Sequence, residues 1–293
     1  MAEPRRVVTD TMLGLKLPDY ARLSPRVATV LGHNPGPFTG PGTNTYIVGT
    51  GKRPLLLDTG VGVPKWAELL PVGLREMSDT DHFEKVVLTH AHQDHIGGVK
   101  DVTRLFGRTE IFKKPWPTPG PDDAAGVPIT AIDDGATITG EGVTLRAVFT
   151  PGHAPDHLCY YLAEEKALFT GDVVLGAGTT IIPDGTGDLG QYMNSLHRLL
   201  ELNAEIIYPA HGPVIRDAGK KIREYIAHRE LRERQVLAAL ADGPLEVMAI
   251  VQQIYTDVPK FLHPAAAQSV GSHLKKLHNE GRVVPDEKRW MLS

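Results

Sequence analysis

Four groups able to bind metal stand within six residues in the segment Thr89-His90-Ala91-His92-Gln93-Asp94-His95-Ile96-Gly97-Gly98. It follows the apolar run Lys85-Val-Val-Leu88 and leads into an expected helix. In an extended segment His90 and His92 point to the same side, and Asp94 and His95 sit at the turn, where both face one cavity. One short peptide can thus serve two ions. A helix start also favours the negative charge of Asp94, keeping it ionised as a ligand or proton acceptor. The bland alternative is a set of exposed polar loop residues. Histidine is the commonest metal ligand, however, and clustered imidazoles and carboxylate at a strand-to-helix junction have little structural use.

Each ion needs a closed shell of four or five donors, so further ligands must come from farther along the chain. Thr150-Pro-Gly-His153, Phe169-Thr-Gly-Asp172 and Tyr208-Pro-Ala-His211 each place a histidine or aspartate just past an apolar run. Alone, each reads as a turn or solvated residue; beside the cluster they complete a set. Two ions about 3.5 to 4 Å apart can hold a bridging hydroxide as nucleophile, polarise the substrate oxygen and stabilise the leaving group. The reaction expected is hydrolysis. The attacked centre is either a carbonyl carbon, as in a thioester or lactam, or the phosphorus of a phosphodiester. Asp94 is the candidate to orient the nucleophile and accept its proton, with ligand duty alone as the alternative.

These residues need strands that end at one place. Arg26–Leu31, Thr45–Val48 and Pro54–Asp58 are short β-rich runs between Gly and Pro, and Pro64–Met77 has apolar residues at helical spacing before the strand Lys85–Leu88. Short strands recur at Pro128–Ile132, Ala136–Thr139, Val143–Phe149, His157–Leu162 and Ala167–Phe169, followed by a helix Leu189–Leu202 and a strand Glu205–Tyr208. That order predicts an α/β protein, an αββα sandwich. After Ala218 the pattern changes to helices Lys220–Leu240, Leu245–Tyr255 and Pro264–Glu280 with a short ribbon at 282–284 and 290–292, a winged-helix-like arrangement. The expected division is a catalytic domain, 1–218, and a C-terminal domain, 219–293. Residues 1–24 offer no argument beyond a guessed N-terminal strand.

The order H-x-H-x-D-H, then His, Asp and His, resembles the metallo-β-lactamase superfamily across residues 25–215. Gly32-His-Asn-Pro-Gly-Pro37, Gly42-Thr-Asn-Thr-Tyr46, Gln191-Tyr-Met-Asn-Ser195 and Tyr208-Pro-Ala-His-Gly-Pro213, with the C-terminal unit, resemble its β-lactamase-like protein 2 group. The resemblance implies two zinc ions per chain: His90, His92 and His153 on one, Asp94, His95 and His211 on the other, with Asp172 bridging. It further implies an endoribonuclease-like phosphodiesterase acting on single-stranded RNA. The alternatives are a carbonyl-centre hydrolase of thioesterase, glyoxalase II-like or β-lactamase-like type acting on a small thioester or lactam, and a winged-helix regulatory DNA-binding protein.

Composition sets the outer limits. The chain has 293 residues, 41% hydrophobic and 23% charged, an ordinary globular balance. A net charge of -4 gives no global attraction to phosphate backbones, so nucleic acid would need a local basic patch. His273, Lys275, Lys276, His278, Arg282, Lys288 and Arg289 are candidates for one, against the reading that this unit only packs beside the cleft. No stretch approaches a membrane span. The single cysteine, Cys159, excludes an internal disulfide and is expected as buried packing; the cytoplasm is the default compartment, an organelle matrix the alternative. Asn34 and Asn44 lie in Gly/Pro-rich loops, as cleft-lining substrate contacts or as turn residues. The eight remaining histidines read as surface or local hydrogen-bonding residues, with His157 to watch because it lies near His153.

Overall fold

The computed structural model describes residues 7–9 and 14–293, apart from 119, 121 and 123–125. Two compact units are present: Met1–Thr150 with Asp156–Thr179 and Asn203–Ala218, and Pro151–Pro155 with Thr180–Leu202 and Gly219–Ser293. Within the N-terminal stretch, residues 1–6 and 10–13 lie outside the described residues. The remainder forms β1 (Val7–Thr9) and β2 (Lys16–Pro18), paired antiparallel, and β3 (Tyr20–Arg22).

The first unit is built on two sheets. One is seven-stranded in sequential order, β3, β4 (Val27–Leu31), β5 (Asn44–Val48), β6 (Leu55–Leu57), β7 (Lys85–Val87), β8 (Glu110–Lys113) and β9 (Ile129–Ala131). Its pairing is antiparallel as far as β6 and parallel from β6 to β9. The other sheet runs β10 (Thr137–Gly140), β11 (Val143–Phe149), β12 (Leu158–Leu162), β13 (Ala167–Gly171) and β14 (Ile206–Pro209), with the last pair parallel.

Alternation along each strand divides the core in two. Val27, Tyr46, Val48, Leu57 and Val87 face Leu145, Tyr160, Phe169 and Tyr208 of the second sheet. Their neighbours Ala28, Val30, Ile47, Leu56 and Val86 face α1 (Pro64–Met77) and α3 (Val99–Phe106) through Trp66, Leu70, Leu74 and Val102. Central strands therefore have both faces covered and read as unbroken apolar runs. Helix α1 begins where Pro64 supplies a preset φ at its first turn, and the Trp66 indole donates to Thr45 Oγ1 at 3.0 Å, tying it to β5.

The helix expected from Asp94 onward is interrupted. A single turn, α2 (Gln93–Ile96), stops at Gly97-Gly98 before α3 starts. Gly98 is required there, because a Cβ would meet Thr59 O and the Trp66 ring.

The second unit contains α4 (Leu189–Glu201), α5 (Ala218–Ala239), α6 (Val247–Ile254) and α7 (His263–Asn279), with β15 (Leu245–Glu246), β16 (Val283–Asp286) and β17 (Arg289–Leu292). The three strands form one small sheet in the order β15-β17-β16, the wing. Val236, Leu240, Ile250, Val251, Val270, Leu274 and Leu277 build its core. No helix among the described residues is long and apolar enough to cross a membrane.

Candidate metal centre

Four chain segments of the first unit end together. Asp58 follows β6, Thr89–His95 follows β7, Asp172 follows β13 and His211 follows β14. Each leaves the C-terminal end of a strand that pairs in parallel with a neighbour, so all emerge on one edge. A register shift between Phe169 and Gly171 bends β13 just before Asp172. Gly171 adopts φ 48°, and a Cβ there would strike the His157 ring.

At that edge His95 Nε2 lies 3.6 Å from Asp94 Oδ2 and 3.4 Å from Asp172 Oδ1, while His211 Nε2 lies 3.3 and 3.2 Å from the same two carboxylate oxygens. His90, wholly buried, brings Nε2 to 3.0 Å from His92 Nδ1. The His90 and His95 rings are 4.1 Å apart. Within the first unit two groups thus present ligand atoms within 4.8 Å of one another, His90 with His95 and Asp172, and Asp94 with His95 and His211. His95 Nε2 is buried yet makes no hydrogen bond, which is costly for a polar atom and fits a nitrogen that would ligate a metal. The donor set is imidazole and carboxylate, suited to zinc and other first-row divalent ions. The residues fit the metal that the donor chemistry implies.

Charge in the cluster leads to the same conclusion. Burial alone would raise Asp94, but His95 and His211 outweigh it and hold the carboxyl at about 2. Burial likewise opposes ionisation of Asp172, which His211 and His95 hold well below the carboxylate range. Burial opposes protonation of His211, yet Asp172 and Asp94 lift it to about 9. Two buried carboxylates require positive charge at this spot, and a cation would supply it. The ionisation of Asp94 therefore comes from neighbouring imidazoles, not from a helix terminus: α2 is four residues long and its dipole is small.

A second layer orients these ligands. Asp58 is fully buried with φ 57°; its carboxylate accepts from Thr89 N at 2.8 Å and Thr89 Oγ1 at 2.9 Å, and meets His95 Nδ1 at 2.8 Å. Asp58 thus keeps a proton on His95 Nδ1, so that the proton a bound cation would displace is the one on Nε2, the nitrogen turned toward the carboxylates. Sequence reasoning took Asp58 only as the end of the β-rich run Pro54–Asp58; the available signal was its place at the end of an apolar strand, which the ligand candidates share. His157 is buried and holds Asp172 rather than joining the ligands: Nε2 accepts from Asp172 N at 3.2 Å and Nδ1 donates to Thr150 Oγ1 at 3.0 Å. Cys159 is buried against the same Thr150 hydroxyl.

His153 belongs to the second unit, in the β11–β12 connection. It is 5% exposed, and its Nδ1 donates to Ile181 O at 2.7 Å. Asn44 donates both amide hydrogens, to Pro209 O at 2.9 Å and Gly212 O at 2.8 Å, and so pins the loop bearing His211. Asn34 closes its own loop on Thr43, accepting from Thr43 N at 2.9 Å and donating to Thr43 Oγ1 at 3.0 Å.

Three of the five lysines and arginines singled out near the C-terminus form ion pairs. Lys276 meets Glu233 at 2.6 Å and Glu280 at 2.7 Å, Arg282 meets Glu233 at 2.8 Å, and Arg289 meets Asp286 at 3.0 Å. His273 is buried on α7 rather than exposed, and both ring nitrogens lack hydrogen bonds.

Comparison with known proteins identifies the family. Residues 38–211 match the metallo-beta-lactamase superfamily, and residues 247–290 match the beta-lactamase associated winged helix domain. A beta-lactamase-like protein 2 homolog of Caenorhabditis elegans is 41% identical over 266 residues, covering 89% of this chain and 87% of that one. An atrochrysone carboxyl ACP thioesterase of Aspergillus chevalieri is 39% identical over 292 residues, covering 94% and 90%. A solved metallo-beta-lactamase family protein from Thermus thermophilus shares the fold, with a TM-score of 0.75 at 24% identity over 93% of this chain and 100% of that one. With an α/β fold of two mixed sheets, a winged-helix domain after it and these matches, the chain belongs to the metallo-beta-lactamase superfamily.

Proposed function

We propose that this metallo-hydrolase binds two zinc ions and cleaves a carbonyl-centre substrate, a thioester of a carrier-borne acyl group. In this reading His90, His92 and His153 Nε2 hold one ion, Asp94, His95 and His211 hold the other, and Asp172 is shared. When bound, the ions supply Lewis acidity to the substrate oxygen and lower the pKa of a water. Asp94, ionised and with 24% of its side chain exposed, orients the attacking water by accepting its hydrogen bond. Asn44 acts by holding the His211 loop, and Asn34 by closing the neighbouring one. The division into a catalytic domain, 1–218, and a winged-helix domain, 219–293, and a cytoplasmic setting complete the reading.

The observation that favours a carbonyl centre over RNA is the pairing of the C-terminal cations. Phosphate binding depends on cations whose counterions are released, whereas Lys276, Arg282 and Arg289 are already matched by Glu233, Glu280 and Asp286. The same pairing weighs against a DNA-binding regulator. The thioesterase from Aspergillus chevalieri, similar over nearly the full length, supports the substrate class.

The test is hydrolysis by metal-analysed protein of an acyl thioester, S-lactoylglutathione, a chromogenic lactam and labelled single-stranded RNA, with His95→Ala as control. Thioester turnover that His95→Ala loses supports the reading. RNA cutting with inert thioesters overturns the substrate and restores the phosphodiesterase.

A further inference from the structure

Lys113, at the end of β8, is 0% exposed, although a lysine in an edge-ward strand would normally reach water. Its ammonium donates to Asp156 Oδ2 at 2.6 Å and to the Lys114 carbonyl, and forms an ion pair with Asp122 Oδ1 at 2.7 Å. Asp156 is also 0% exposed. Burying such a cluster is expensive unless it fixes something, and the metal ligands make no use of it.

What it fixes is Trp116. The other Asp122 oxygen accepts from Trp116 N at 2.7 Å. Between them Lys114 is held as well, paired with Asp133 at 2.7 Å and lying 4.6 Å over the Phe149 ring. Trp116 is thereby carried on a segment tied at each side, and its indole stands 6.4 Å from the His92 ring. A tryptophan ordinarily brings a large apolar area into a core; this one is half-buried and stands outside the apolar clusters of both sheets and the winged-helix unit.

We propose that Trp116, positioned by the Lys113–Asp122–Asp156 cluster, is the wall of the substrate cleft that recognises a planar, aromatic acyl group. This rests on the carbonyl-centre reading and narrows its substrate. An aromatic face presented at fixed depth beside a metal ligand stacks on a flat acyl group and gains less from a flexible alkyl chain. Trp116 is a specificity residue; Lys113, Asp122 and Asp156 are positioning residues that never touch substrate.

The test compares metal-loaded wild type, Trp116→Ala, Trp116→Phe and Asp122→Asn on benzoyl and hexanoyl thioesters of N-acetylcysteamine, with tryptophan fluorescence titrations of benzoate and hexanoate alongside. Expected is a wild-type preference for benzoyl that falls about three- to tenfold in Trp116→Ala. The loss is carried in KM rather than kcat, metal content stays at the wild-type value, Trp116→Phe restores the preference and Asp122→Asn loses part of it. Equal effects on both acyl groups, or an unchanged preference in Trp116→Ala, overturn the inference while leaving thioester hydrolysis standing. If neither thioester is cut but benzoate quenches wild type and not Trp116→Ala, the hydrolytic reading fails and the aromatic wall survives. Absence of both overturns both.

Discussion

Replacing Asp58 by Asn should weaken one metal ion and spare the other. The side chain keeps its shape, and its remaining oxygen can still accept from Thr89 N, now 2.8 Å away. The new amide nitrogen, however, faces His95 Nδ1 where a carboxylate oxygen stood at 2.8 Å. Two donors cannot share that contact, so His95 moves its proton to Nε2, the atom that sits 3.4 Å from Asp172 and 3.6 Å from Asp94. A protonated Nε2 is no ligand. Losing one hydrogen bond to a charged partner costs about 1.5–3 kcal/mol. Removing an outer partner of a ligating histidine costs about 10–100-fold in metal affinity, or roughly 1.4–2.7 kcal/mol, so the two routes agree. The assay is zinc competition against a chromophoric chelator at neutral pH, resolved into two binding steps. One step should weaken by that factor and the other hold. Wild-type affinity at both steps would refute the claim that Asp58 sets the His95 tautomer.

Asn44→Ala strands the carbonyls of Pro209 and Gly212, each worth about 1–3 kcal/mol when left unpaired and buried; a lowered unfolding midpoint with weakened binding at the His211 ion is expected, and unchanged binding would detach Asn44 from the site. Gly98→Ala drives a methyl against Thr59 O and Trp66 and should cost about 1–3 kcal/mol in denaturant unfolding, whereas Gly107→Ala, where no atom lies within 4 Å of the added Cβ, is limited to the cost of its positive φ. His273 has its pKa lowered from 6.5 to about 3, by burial first and then by Arg229, Lys276, His228 and Arg232. The folded chain therefore prefers neutral imidazole: its stability is complete above pH 6.5 and falls as the pH drops toward 3, by about 3 kcal/mol at pH 4.5. Thermal unfolding of His273→Leu between pH 7 and 4.5 should lack that loss; equal slopes in both proteins would exclude it.

The metal-binding segment and the strands that carry it were legible because their signals are local. Four ligand-type residues in six positions have no common structural use, and Pro64 together with the Trp66, Leu70, Leu74 spacing gives α1 its observed bounds. What stayed hidden depends on partners distant in sequence. Asp58 is only the last residue of a short β-rich run until His95 and Thr89 are brought to it, 37 and 31 positions away. Lys113 looks like an exposed strand lysine until Asp156 meets it, 43 positions on. Strand β8 itself is short and polar at Glu110 and Lys113, and no alternation marks it. The helix expected at Asp94 breaks at Gly97 and Gly98, where a Cβ would meet Gln93 O and Val61 O in the first case and Thr59 O and Trp66 in the second, a tertiary demand that no helical periodicity records. The C-terminal cations suggested a phosphate-binding face from their type alone, and only the fold shows Glu233 between Lys276 and Arg282.

The most direct test is a titration of metal-free protein with zinc while thioester hydrolysis is followed. The account predicts no turnover in the metal-free protein and a rise that ends at two equivalents per chain. Turnover without metal, saturation at one equivalent, or no thioester hydrolysis at any stoichiometry would contradict it.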